Sequence, residues 1–149
     1  MHIWVDADAC PNPIKEILFR AAQRCQVPLT LVANHLVKVP PSPLIKARQV
    51  ESGFDVADNY IAQQVLPGDI VVTGDIPLAA EAVEKGAQVI GPRGEHFTPA
   101  NIRQRLAMRN LMEELRNTGE VKGGPGSLGH TERKQFANVL DRLLEARSK

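Results

Sequence analysis

Apolar runs alternate with helix-patterned stretches along this chain, which is the signature of βαβ units and a mainly parallel sheet. The first strand is expected at 2–7, where "HIWVDA" begins apolar. Pro11 and Pro13 then open a helix to about Arg24, with Ile14, Ile17, Leu18, Ala21 and Ala22 at helical spacing. "VPLTLVAN" (27–34) reads as a second strand. Pro40, Pro41 and Pro43 exclude regular structure from the next stretch, and a short strand is expected near 44–50. After Gly53, "DVADNYIAQQVL" is helical, with Val56, Ala57, Tyr60, Ile61 and Val65 inward and Pro67-Gly68 as its stop. "DIVVTGD" (69–75) is the clearest buried strand, "PLAAEAVEKG" the clearest short helix, and "AQVIG" (87–91) the last strand. Helical patterning resumes from Thr98 to about Asn117, a glycine-rich loop covers 123–129, and a final helix spans roughly 131–147.

A chain of 149 residues suits one domain, here an α/β core over 1–92 followed by a helical extension over 93–149. The 43% hydrophobic and 23% charged fractions are those of a soluble globular protein. No apolar stretch approaches the roughly 20 residues that cross a bilayer, and the amino terminus lacks a basic region followed by an apolar one. A cytoplasmic location with no membrane partner is the expectation. In that setting Cys10 and Cys25 are expected as thiols, with neither a disulfide nor a zinc site, because there is no CxxC and no Cys/His cluster. The net charge of +1 conceals an asymmetry: residues 1–92 carry seven Lys/Arg against ten Asp/Glu, and 93–149 carry eleven against seven. Such a division suits a metal site beside a polyanion-binding surface, and equally an ordinary solvated helical face.

Carboxylates gather where a parallel sheet builds its sites, beyond the carboxyl ends of the strands. Asp6 and Asp8 end the first strand and Asp75 ends "VVTGD", so three acids converge if those strands are neighbours. Asp55 and Asp58 begin the preceding helix one turn apart, bringing five acids within reach. Carboxylates so close raise one another's pKa or require a cation. An all-oxygen cage suits Mg²⁺ or Mn²⁺ better than zinc, and such ions commonly serve phosphoryl chemistry. Each acid also has a plainer reading. Asp55 is placed to cap its helix and Asp8 to cap the helix at Pro11, whereas Asp6 and Asp75, as strand ends, have no capping duty. Asp69, at the other end of its strand, reads as a turn residue.

With "VDAD", "DVADNYI" and "VVTGDIPLAAEAVEKGAQVI" in view, the chain resembles the YaiI/YqxD family of bacterial proteins over essentially its whole length. Over about residues 1–92 it also resembles PIN-like nuclease domains. The resemblance implies a three-layer α/β/α fold with C-terminal helices, and a metal-dependent ribonuclease. It implies a site of Asp6, Asp58, and Thr73 with Asp75, Thr73 positioning Asp75 or a water molecule. Many PIN-like domains carry a further acid two residues after the Thr-x-Asp aspartate. Pro77 stands there in this chain, and Asp8 is the candidate replacement.

Other residues offer substrate contacts. Lys122, Gly123, Gly124, His130 and Arg133 lie in or beside the glycine loop, whose amides and following helix, capped by Thr131, suit a phosphate; a flexible connector is the alternative. Arg105 and Arg109, at i,i+4, suit a nucleic-acid backbone or simply solvent. Asn34, ending the second strand, reaches toward the same crevice or serves a turn. Aromatic residues make up only 4%, so no base-stacking platform is evident. Cys10 follows Asp8 closely but has no His/Asn partner in view and reads as a buried thiol. Three functions compete. The first is a Mg²⁺/Mn²⁺-dependent phosphodiesterase acting on RNA. The second is a non-catalytic module binding RNA or protein, and the third an aspartyl-phosphate phosphatase suggested by "DAD".

Overall fold

The computed structural model describes residues 1–53, 55–117 and 128–146. Five parallel strands, β1 (Ile3–Asp6), β2 (Leu29–Ala33), β3 (Ile45–Gln49), β4 (Ile70–Val72) and β5 (Gln88–Ile90), form one sheet with an antiparallel sixth, β6 (His96–Phe97). Their order is β3-β2-β1-β4-β5-β6. The chain therefore builds outward from β1 in one direction, then returns to its other side at β4. A parallel sheet places its crevice at such a reversal.

Helices cover both faces. α1 (Asn12–Cys25) and α5 (His130–Ala146) bury Ile14, Leu18, Phe136 and Leu140 against Ile3, Val5 and Val72. On the opposite face α2 (Val56–Gln64), α3 (Ile76–Glu84) and Ile102 of α4 (Ile102–Asn117) pack on Trp4, Val71 and Val89. The side-chain alternation of β1, with Trp4 facing one layer and Ile3 and Val5 the other, divides the two cores. The fold is thus α/β in three layers. Burial on both sides explains why the central strands read as unbroken apolar runs. In β3, by contrast, only Ile45 is buried, as befits an edge strand.

Two expectations need correction. The strand at 87–91 is not the last, because β6 follows it. Two residues carry no readable periodicity, and this hairpin is set instead by the Gly91–Gly94 turn, where the Gly91 N–H donates to the Glu95 carbonyl at 2.7 Å. The helix expected from Thr98 becomes regular only at Ile102. Thr98 and Asn101 cap it reciprocally: the Thr98 N–H donates to Asn101 Oδ1 at 2.9 Å and the Asn101 N–H to Thr98 Oγ1 at 3.3 Å.

Gly94 allows α5 to dock. Its φ is +91°, and a Cβ there would stand 2.9 Å from the Phe136 backbone nitrogen. Gly94→Ala is expected to lower unfolding free energy by about 2–4 kcal/mol, through left-handed strain and overpacking together. Denaturant titration reads this directly, and a loss below about 1 kcal/mol would mean that α5 shifts to make room. No helix among the described residues is long and apolar enough to cross a membrane. No disulfide joins Cys10 to Cys25. Burial pushes the Cys10 thiol up to about 12, which removes it as a nucleophile.

Candidate metal centre

β1 and β4 are parallel neighbours, as a shared site requires, with Val5 level with Val72. Asp6 ends β1 almost fully buried, at 7% exposure. Its Oδ2 accepts the Thr73 hydroxyl at 3.1 Å, and Thr73 Oγ1 in turn accepts the Asp75 N–H at 3.0 Å. Thr73 therefore fixes the β4–α3 turn against the end of β1. Burial, then the charges of Asp75 and Asp8, raise the Asp6 pKa, and the Thr73 hydrogen bond opposes that rise.

Among the described residues the acids that come together are Asp55, Asp58 and Asp75, each offering an oxygen within 4.8 Å of the others. Asp75 is the N-cap of α3, its Oδ1 accepting the Leu78 N–H at 2.9 Å. That overturns its reading as a strand end without capping duty: β4 stops at Val72, and Asp75-Ile76-Pro77 is a helix start with proline in the first turn. Asp55 occupies the cap position of α2 but makes no side-chain cap bond, and its φ is +63°. Its carboxylate is thereby left to the cluster. Asp58, in the first turn of α2, is pushed up to about 7 by desolvation, then by the charges of Asp6 and Asp75. A group so placed is an electrostatic conflict that a cation relieves.

These side chains line a cleft of about 190 Å³ that also takes in Asn59, Glu81 and Arg109. Asn59 and Glu81 are absent from the sequence-based candidates above. Asn59 directly follows Asp58, and Glu81 lies six positions after Asp75, so neither forms a motif until α2 and α3 are set side by side. Arg109 is the one basic residue on the cleft wall among the described residues, and its Nη1 is 3.1 Å from Glu113 Oε2. Its predicted companion Arg105 points elsewhere, bonded to Glu95 at 2.6 Å and lying over the Phe97 ring.

Asp8 is not one of the clustered acids and lies in the short 3₁₀ turn Ala7–Ala9. Its carboxylate accepts the Asn34 N–H at 3.0 Å and pairs with His35 Nδ1 at 2.8 Å. It does not cap α1, whose N-cap is Pro11. Asn34 enters this arrangement through its backbone. His130 and Arg133 open α5 and do not line the cleft. The cap of α5 is not Thr131: the Gly129 N–H donates to Glu132 Oε2 at 3.0 Å, so a carboxylate already stands where a phosphate was expected. Lys122, Gly123 and Gly124 lie outside the described residues. Asp69 closes a turn, as expected, at the far end of β4.

The donor set of three carboxylates, all oxygen and partly open to solvent, fits a hard divalent ion such as Mg²⁺ or Mn²⁺. Between roughly pH 4 and 7 the folded chain keeps a proton on Asp58 that the unfolded chain has released. Stability conferred by that proton falls as pH rises through this window, and an ion that binds the carboxylates restores it. Thermal melts should show the metal-free protein losing more stability from pH 5 to 7.5 than Asp58→Asn does. Mn²⁺ should raise the wild-type Tm more at pH 7.5 than at pH 5. Equal slopes in the two proteins would place the Asp58 pKa near that of an ordinary carboxylate.

The family model described as "Uncharacterized BCR, YaiI/YqxD family" matches residues 4–146. The chain is 63% identical over 145 residues to a "UPF0178 protein" of Marinobacter nauticus, covering 97% of each. It is 60% identical over 149 residues to one from Hahella chejuensis, covering 100% of this chain and 99% of the other. A third, from Bordetella petrii, is 62% identical over 146 residues, covering 98% and 97%. No solved structure matches. With a family model spanning nearly its whole length and relatives aligned end to end, the chain belongs to the YaiI/YqxD family.

Proposed function

We propose that this protein is a divalent-metal-dependent phosphodiesterase acting on RNA. The observation that carries the reading is the convergence of Asp55, Asp58 and Asp75 within 4.8 Å at the point where the sheet order reverses. A Mg²⁺ or Mn²⁺ ion held there would supply a Lewis acid for phosphoryl oxygens and a lowered pKa for attacking water. Asp55, Asp58 and Asp75 are the residues that would hold it. Asp6, buried behind them, adds negative charge and, through Thr73, keeps the Asp75 turn in place. Arg109 brings a cation to the cleft wall, suited to a phosphodiester oxygen. The surplus of Lys and Arg in 93–149 suits the rest of a polyanion. The resemblance to PIN-like nucleases points the same way, with acids on the first strand, on a helix and in a Thr-x-Asp turn.

A phosphatase using an aspartyl nucleophile is served less well, because Asp6 is buried and hydrogen-bonded and Asp8 is engaged with His35 and Asn34. Incubation of a fluorescently labelled single-stranded RNA with Mn²⁺, Mg²⁺ or EDTA tests the proposal. Cleavage with either ion and none in EDTA is expected. RNA that binds yet stays intact at every metal concentration would replace the nuclease with a binding module.

A further inference from the structure

A second cavity, of about 400 Å³, opens on the other side of the β4–α3 turn. The two sites share that turn as a wall. Asp75 and Pro77 line the aspartate cleft, whereas the alternate residues Gly74 and Ile76 line this cavity. Pro11, Pro92 and Leu128 stand around it, and its volume lies within the roughly 300–1,000 Å³ of small-molecule sites. Two of its lining residues, Gly74 in that turn and Gly91 just after β5, carry no side chain. A Cβ on Gly74 would meet Pro92 at 3.6 Å, and one on Gly91 would meet Phe97 at 3.3 Å.

The chemistry of the walls narrows the occupant. Glu95, the one carboxylate among the described lining residues, is neutralised by Arg105 at 2.6 Å. Arg93 is held at the rim by Glu132 at 3.3 Å. With both charged side chains of the lining paired, the interior accepts an uncharged, largely apolar body. A ligand with its anion at the aspartates and its apolar body across one turn of backbone satisfies both cavities.

We infer that this cavity receives the base of the nucleotide adjoining the phosphate held at the aspartates, an inference that rests on the phosphodiesterase reading. The base would lie among Pro11, Ile76, Pro92 and Phe97. The wall at Gly74–Pro77 would set the spacing between base and phosphate, so discrimination among bases would reside here and not in the metal cleft.

Calorimetry on the Mn²⁺-loaded protein, with adenosine 5′-monophosphate and ribose 5-phosphate as probes, tests this. The nucleotide is expected to bind about 10-fold or more tightly than the sugar phosphate, for the apolar area that its base buries. Leu128→Glu, which puts a charge in the cavity, and Gly74→Ala, which narrows it, should each reduce that preference to about twofold or less. Both should leave Mn²⁺ affinity as it is in the wild type. Equal binding of the two probes, a preference that survives both substitutions, or no binding of either by the Mn²⁺-loaded protein overturns the inference while the metal centre stands. Failure of the wild type to take up Mn²⁺ overturns the phosphodiesterase reading and this inference with it.

Discussion

Asp75→Asn should leave the protein folded and reduce its Mn²⁺ affinity and metal-dependent RNA cleavage by about 10²-fold or more, since even groups that only orient a metal ligand cost 10- to 100-fold. Asp75 has two separable duties. As N-cap it accepts the Leu78 N–H at 2.9 Å, and asparagine caps a helix about as well as aspartate. As a member of the cluster it supplies negative charge within 4.8 Å of Asp55 and Asp58, and a neutral amide does not. Asp75→Ala loses both, and should add about 1 kcal/mol of destabilisation to the same metal defect. Circular dichroism melts alongside metal titration separate the two. A full-strength site in Asp75→Asn would remove Asp75 from the ligand set.

The largest stability effect is expected at the opposite end of β4. Asp69, 5% exposed, accepts the His2 N–H at 3.0 Å, the Trp4 indole N–H at 3.2 Å and the Leu66 N–H at 2.9 Å. One carboxylate thereby ties the starts of β1 and β4 to the end of the α2–β4 connection. Asp69→Ala strands three donors and should cost about 3–5 kcal/mol, whereas Asp69→Asn keeps one acceptor and should cost roughly half of that. Urea titrations give both numbers, and any fraction that folds should bind Mn²⁺ as the wild type does. A loss in Asp69→Ala below about 1 kcal/mol would show that water satisfies those donors as well as the carboxylate.

The parallel core was legible because its strands are buried on both faces, and the helices because their apolar residues recur at helical spacing. Asp55 and Asp58 were legible as a pair because they stand about one turn apart at the start of α2. Asp75 was legible as an acid at the site but not as a cap, because the apolar run of β4 leads straight to it and only Pro77 marks the helix start. Asp8 misled for a different reason. Its partners Asn34 and His35 arrive from the end of β2, and no local pattern announces a neighbour across the sheet. Arg109 reaches the cleft only because α4 lies along α3, which also carries Arg105 away to Glu95 and Phe97. The hairpin carrying β6 depends on a glycine turn and two residues, too few for any period.

On the proposed reading, a bound cation relieves the conflict among Asp55, Asp58 and Asp75. The most direct measurement is electron paramagnetic resonance titration of Mn²⁺ into wild type and Asp58→Asn at pH 7.5, counting bound ions. The wild type should take up Mn²⁺ that Mg²⁺ displaces, with affinity about 10-fold or more weaker in the variant. A wild-type protein that leaves Mn²⁺ free at millimolar concentration, or a variant that binds it equally well, would contradict that reading.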